Sequence, residues 1–126
     1  DIILTNRTSS RADQLRSDFG AKVKVVEWMK IQNYLSDAST IVNTTSLGMV
    51  GNTDLPIPLK TLKKNTLVTD IVYTPIETHL LATAAEMGCR TVDGLGMLIH
   101  QAIPGFERWF GIKPGDSQPL RELLIK

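Results

Sequence analysis

The sequence predicts an α/β fold: a mostly parallel sheet with flanking helices. Short apolar runs alternate with segments whose apolar residues recur at helical spacing. The loops between them are short, as βαβ units require. Residues of unusual chemistry cluster just after the strands, where parallel sheets bind their ligands.

Ile2, Ile3 and Leu4 read as a first strand buried on both faces. Thr8 or Ser9 then caps a helix in which Ala12, Leu15 and Phe19 share one side, and Gly20 stops it. Val23 to Val26 is a second strand. Trp28 to Leu35 is a short helix with Trp28, Ile31 and Leu35 inward. Ser39 to Val42 is a third strand, and Gly48, Gly51, Asn52, Pro56 and Pro58 mark a loop from Leu47 to Leu59. Leu67 to Val72 is the fourth strand.

Thr74-Pro75-Ile76-Glu77 then looks like a helix start, with Thr74 as N-cap, Pro75 at the first position and Glu77 closing a capping box. Ile76, Leu80, Leu81, Ala84 and Ala85 supply the buried stripe, and Gly88 ends it. Cys89 to Val92 is a fifth strand. Leu95, Leu98, Ile99, Ala102, Ile103, Phe106, Trp109 and Phe110 form a long amphipathic helix. Pro104 predicts a kink near Ala102 or Ile103, and Gly111 closes the helix. Leu120, Leu123 and Leu124 suit a last short helix.

The bulk numbers narrow the function. With 126 residues, 42% of them hydrophobic, one domain with a core is expected. Fourteen basic against thirteen acidic residues give +1, which argues against a broad electrostatic grip on nucleic acid or membrane. The single cysteine, Cys89, forms no internal disulfide and no zinc site, pointing to a reducing compartment, most simply the cytoplasm. No apolar run approaches the roughly 18 residues of a membrane span. The chain opens on Asp1, already inside a strand pattern, which suggests a piece of a longer protein.

Four clusters carry the chemistry. Asn6-Arg7-Thr8-Ser9-Ser10-Arg11 places two arginines at a helix start, where the helix dipole disfavours cations unless an anion sits between them. In dinucleotide-binding folds an acid at this turn accepts from the ribose of NAD, whereas arginine accommodates the 2′-phosphate of NADP. This turn has no acid. A solvated helix start with surface arginines is the plainer alternative. If Ile2–Leu4 is the second strand of a Rossmann-like fold, its first strand and glycine-rich turn should precede Asp1, and the chain holds no G-x-G-x-x-G.

The second cluster, Asn43 to Met49, offers hydroxyls and a glycine that let backbone approach a ligand, or it is an ordinary polar loop. The third, Asp70 to Pro75, sends Tyr73 out of a buried strand, where it either offers its hydroxyl or is structural. The fourth, Asp93 to Gln101, combines glycines at a helix start with Met97, suited to a flat ring, and Gln101 off the apolar stripe. His100 has no acidic or serine partner in sequence and reads as an exposed helical histidine.

In order and spacing, the segments NRTSSRA (6–12), NTTSLGM (43–49), DIVYTPIET (70–78), DGLGMLIHQA (93–102) and FERWFG (106–111) resemble shikimate dehydrogenases. The resemblance implies an NADP-dependent oxidoreductase reducing 3-dehydroshikimate to shikimate in aromatic amino-acid biosynthesis. It implies that Asn6, Arg7, Thr8 and Arg11 hold the 2′-phosphate. Thr45, Ser46, Ile71, Gly94 and Met97 would line the dinucleotide, the last three near the nicotinamide, and Tyr73 and Gln101 would contact shikimate. The catalytic lysine and aspartate of that family lie in an N-terminal substrate domain and have no match here. Residues 1–126 would then be a partial NADP-binding domain, truncated at its N-terminus and missing its first βα unit. Its C-terminal helices (95–126) would pack toward the absent substrate domain. A small-molecule substrate is implied, with no metal, and a homodimer is allowed for. The rival readings are a quinate/shikimate dehydrogenase relative that accepts NAD, and a non-catalytic nucleotide-binding module.

Overall fold

The computed structural model describes residues 1–115 and 117–125; Asp116 and Lys126, the latter closing the segment expected to pack against a second domain, lie outside the described residues. Among the described residues five strands and five α-helices follow one another in the order β1 (Ile2–Leu4), α1 (Ser9–Phe19), β2 (Val23–Val25), α2 (Gln32–Leu35), β3 (Thr40–Asn43), β4 (Leu67–Asp70), α3 (His79–Glu86), β5 (Arg90–Val92), α4 (Gly94–Phe110) and α5 (Gln118–Leu124). All recorded pairings are parallel, as helical crossovers demand. The strands divide into two sheets, β1–β2 and β3–β4–β5. Ile2 pairs with Val23, Asn43 with Asp70, and Thr69 with Val92. The inner edges of β1 and β3 are not hydrogen-bonded to each other.

The core lies on one face of the three-stranded sheet. Val68 of β4 is fully buried there, against Leu80, Leu81 and Ala84 of α3, Leu35 of α2, and Leu55, Leu59 and Leu62 of the connecting loop. Trp28, Ile31 and Cys89 pack at its margin, and the Cys89 thiol donates to the Lys63 carbonyl at 3.4 Å. The opposite face is bare: Val42 and Val92, on either side of Thr69, are each 51% exposed.

Several local expectations are corrected. Ile2 and Ile3 are exposed, not buried on both faces, because β1 has a hydrogen-bonded neighbour on one side only. In α1 only Ala12 is buried; Leu15 and Phe19, on the same side, face solvent. The segment Trp28–Leu35 splits into a 3₁₀ turn at Trp28–Lys30 and the single-turn α2. Ala85 is exposed and lies off the stripe of α3.

The start of α3 is the largest correction. Its N-cap is Thr78, not Thr74; the Thr78 hydroxyl accepts from the Leu81 amide at 3.4 Å, and Pro75 and Glu77 stay outside the helix. The Thr78 hydroxyl also donates to Asp70, a long-range bond that the local capping-box pattern does not anticipate. Helix α4 runs through Pro104 to Phe110, although a proline has no N–H to donate within it. Gly111 ends it in the left-handed conformation (φ 72°) that a glycine adopts without a Cβ penalty.

Candidate functional site

The carboxyl ends of β3 and β4 are tied together by a buried polar network. Asn43 and Asp70, register partners across the two strands, are 3% and 1% exposed. Asp70 Oδ1 accepts from Asn43 Nδ2 and from the Val72 amide, both at 3.0 Å. Asp70 Oδ2 accepts from the Thr78 hydroxyl at 2.8 Å. Asn43 Oδ1 in turn accepts from the Thr45 amide at 3.0 Å and the Thr45 hydroxyl at 2.8 Å, and the Thr45 Oγ1 accepts from the Leu47 amide. A carboxylate removed from water stays tolerable only when hydrogen bonds replace its hydration, and here both oxygens are occupied. The network therefore fixes three connections at once: the loop after β3, the turn after β4 and the start of α3. Thr45 is half-buried within it and Ser46 is exposed beside it.

Helix α4 seats directly on the end of β4. A Cβ built on Gly94 would lie 2.2 Å from the Ile71 carbonyl oxygen and 2.6 Å from that of Val72, so only glycine fits. The Gly94 amide donates to the Val72 carbonyl at 3.2 Å. Ile71 is held from the other side, its amide donating to the Asn43 carbonyl at 3.1 Å. Gly94, Met97 and Gln101, spaced i, i+3 and i+7, share one side of the helix. Met97 is 47% exposed and Gln101 is exposed, while Leu95 and Ile99 anchor the buried side. Tyr73, 42% exposed, leaves the same strand end. The geometry thus brings Gly94 against Ile71 and Val72, with Tyr73 next in sequence and Met97 one turn on, and the close approach expected of the glycine is made to the protein's own backbone.

Asp93 caps α4, its Oδ1 accepting from the Leu95 amide at 3.0 Å. Both of its oxygens also receive a fork from Arg121 of α5, Nη1 to Oδ1 at 3.0 Å and Nη2 to Oδ2. Hydrogen bonding from Arg121 holds the Asp93 carboxyl below its ordinary range, helped by the arginine charge and the Leu95 and Gly96 amides against the opposing effect of burial. The same contact raises Arg121.

At the end of β1, Asn6 Oδ1 accepts from the Thr8 amide at 2.9 Å and shapes the turn into α1, leaving its Nδ2 for another partner. Thr8 is the N-cap, Arg7 precedes it, and Arg11 is the third residue of the helix. Among the described residues neither arginine side chain makes an ion pair or hydrogen bond. A cavity of about 270 Å³ opens here, lined by Asn6, Arg7, Ser9, Arg16, Glu27 and Trp28 among others. Its acids are already engaged, Asp13 with Arg16 and Glu27 with Lys30. Next to Asn6, the Thr5 hydroxyl oxygen is buried without a partner. Thr8 and Arg11 do not line the cavity.

A larger hollow, about 400 Å³, lies between the loop Asp54–Leu59 and the start of α3. None of the sequence-predicted site residues lines it, and size alone does not make it the site. His100 is exposed on α4. No group of three metal-ligating side chains exists among the described residues, and no helix among them is long and apolar enough to cross a membrane. Sequence reasoning missed the Asp70–Asn43–Thr78 network and the Asp93–Arg121 pair. An aspartate directly before a glycine-led helix is a readable cap signal for Asp93. Nothing local signals its partner 28 residues on.

The family described as shikimate 5′-dehydrogenase, C-terminal domain, matches residues 94–124. The shikimate dehydrogenase (NADP⁺) of Cereibacter sphaeroides is 58% identical over 99% of this chain and 45% of its own length. The chain thus spans less than half the length of the curated relatives it matches. Among solved structures, the quinate dehydrogenase of Corynebacterium glutamicum in complex with NAD superposes with a TM-score of 0.85 at 34% identity, over 98% of this chain and 45% of that one. The shikimate 5-dehydrogenase of Thermus thermophilus in complex with NADP(H) and shikimate gives 0.75 at 28%, over 90% and 41%.

Proposed function

We propose that the chain is the dinucleotide-binding part of an NADP-dependent shikimate dehydrogenase, an enzyme interconverting 3-dehydroshikimate and shikimate, as its match to the C-terminal domain of that family and its 58% identity to a shikimate dehydrogenase (NADP⁺) support. The observation that carries the cofactor choice is the pair of unengaged arginines, Arg7 and Arg11, at the start of α1 beside a cavity whose own acids are engaged. A 2′-phosphate supplies the anion that two cations at a helix N-terminus call for. The orphaned Thr5 hydroxyl at the same strand end fits a polar occupant as well.

When bound, NADP⁺ supplies the hydride acceptor: shikimate + NADP⁺ ⇌ 3-dehydroshikimate + NADPH + H⁺. The chain's residues bind and orient. Asn6, Arg7, Thr8 and Arg11 hold the phosphate-bearing ribose; Thr45 and Ser46 line the path across the sheet. Ile71, Gly94 and Met97 form the wall at the nicotinamide end, and Tyr73 and Gln101 face shikimate. The catalytic lysine and aspartate of the family are outside these residues.

Residues 1–126 are a partial domain in this reading. The free inner edges of β1 and β3 and the bare face at Val42 and Val92 suit one further strand and helix, the first βα unit of a doubly wound sheet. The apolar side chains along residues 95–126, Trp109 at 79% and Leu123 at 66% exposure among them, suit packing against a substrate domain. The thiol Cys89 and the lack of a spanning helix among the described residues suit the cytoplasm. The NAD-bound quinate dehydrogenase favours a second reading, an NAD-accepting quinate/shikimate enzyme. Against it, Thr8-Ser9-Ser10 offers no carboxylate to a ribose hydroxyl.

The test is shikimate-dependent formation of NADPH by the complete enzyme, with NADP⁺ and NAD⁺ compared in wild type and Arg7→Ala. Loss of charge-assisted bonds predicts about a 10- to 100-fold fall in kcat/KM for NADP⁺. Activity with unchanged cofactor preference removes the arginine clamp; no turnover of shikimate or quinate removes the assignment.

A further inference from the structure

An isolated surface ion pair contributes little to structure. The Asp93–Arg121 contact differs in three respects. It is a two-pronged fork, Nη1 to Oδ1 at 3.0 Å and Nη2 to Oδ2, the geometry that fixes orientation as well as distance. Its side chains are only 20% and 29% exposed. Its acid is the N-cap of α4, already bonded to the Leu95 amide. Capping uses one oxygen; the fork takes both and sets the plane of the carboxylate relative to the first turn.

The rest of α4 is weakly held. Gly94, Leu95 and Ile99 are buried, but Phe106, Trp109 and Phe110 face solvent. Its first turns are held by the seat of Gly94 on the Ile71 and Val72 carbonyls, by the burial of Leu95 and Ile99, and by the grip of Arg121 from α5, the one attachment that fixes the orientation of the cap. Met97 and Gln101 project from those turns. The residues matched by the family, 94–124, span the two helices that this contact joins.

We infer that Arg121 is a positioning residue: through Asp93 it sets the start of α4, and with it the places of Met97 and Gln101. The catalytic consequence rests on the function proposed above; the structural one does not. Lysine at position 121 keeps the charge but loses the fork, so Arg121→Lys is the informative variant, with Arg121→Gln beside it.

In the 126-residue chain, amide exchange at Leu95 and Gly96 in Arg121→Lys rises about tenfold or more above wild type. Exchange at Val68 and Leu81, in the core, stays unchanged. In the complete enzyme, Arg121→Lys lowers kcat or raises the KM for shikimate by about 10- to 100-fold, as a displaced helix start should. Affinity for adenosine 2′,5′-bisphosphate, which engages only the Arg7 end, holds at the wild-type value. Unchanged exchange at Leu95 and Gly96 overturns the inference whatever the enzyme does. Equal weakening at both ends of the cofactor site overturns it in favour of a general loss of structure. Altered exchange in a chain whose wild-type parent does not turn over shikimate leaves the positioning intact and removes the proposed reaction.

Discussion

Replacing Gly94 by alanine tests the seat of α4 on the sheet. The added Cβ falls 2.2 Å from the Ile71 oxygen, 2.4 Å from its carbonyl carbon and 2.6 Å from the Val72 oxygen. All three are backbone atoms of the strand end, so no side chain can swing away. Carbon–oxygen contacts settle at about 3.3 Å or more, so the helix start must retreat by about 1 Å. Retreat stretches the bond from the Gly94 amide to the Val72 carbonyl, already 3.2 Å, and loosens Leu95. Overpacking of this kind costs about 1–3 kcal/mol, and loss of one buried hydrogen bond adds about 1 kcal/mol. Together about 2–4 kcal/mol, this corresponds to a fall in Tm of about 8–15 °C for a domain of this size. Thermal unfolding followed by circular dichroism, with Gly96→Ala as control, provides the assay. A Cβ on Gly96, in the same turn, meets nothing within 4 Å, so that variant should match wild type or gain a few tenths of a kcal/mol to about 1 kcal/mol. If Gly94→Ala unfolds with the wild type while Gly96→Ala is the weaker, the close approach is not what the glycine is for.

Thr78→Ala removes both the cap of α3 and the donor to Asp70 Oδ2, for a loss of about 2–3 kcal/mol; Thr78→Ser keeps both bonds and should lose less than half as much, as read by urea unfolding. The carboxyl of Asp93 is held below its ordinary value of 3.8 when folded, so its pairing stabilises above that value and the contribution disappears as pH falls through the folded-state value. Arg121→Gln should therefore be less stable than wild type near neutrality and converge with it in strong acid; a gap that widens on acidification would contradict the sign. Residues 1–126 alone should show no shikimate-dependent NADPH formation, because the proposed function places the catalytic groups in the remainder of an enzyme of which this chain matches 45%, and detectable turnover would refute that.

The alternation of strands and helices was legible because it rests on local periodicity, and every strand lies within two residues of its expected place. What was not legible depends on distant partners. Leu15 and Phe19 read as core by spacing, yet spacing cannot say what lies opposite, and they remain exposed. The capping-box pattern pointed to Thr74 as the start of α3. The helix begins at Thr78, whose hydroxyl also reaches Asp70, a bond across eight residues that no capping template contains. The arginines at the start of α1 were readable as an anomaly because the dipole argument needs only their position. Arg121 had no such signal, its significance arising from a carboxylate on another helix.

Asp70 explains how the segments that carry these separately readable clusters are tied together. It sits at the last position of the central strand β4, where the register places Asn43 opposite. Among the described residues no cation pairs with it; its buried carboxyl oxygens are met by an amide nitrogen, a backbone amide and a hydroxyl, one from each of three segments. Removing any one donor leaves a buried oxygen short of a bond, at about 1–3 kcal/mol. The three segments are therefore energetically coupled through one side chain, whereas an apolar residue in that place would leave them to settle independently. Asn43 extends the coupling to Thr45 and Leu47, and the fixed Val72 amide lies on the residue whose carbonyl receives Gly94 of α4. A shift at the loop after β3 must consequently be felt at the start of α4. That connection, made of hydrogen bonds 2.8–3.2 Å long, is the physical reason the hydroxyl cluster, Tyr73 and the glycine-led helix hold a common geometry.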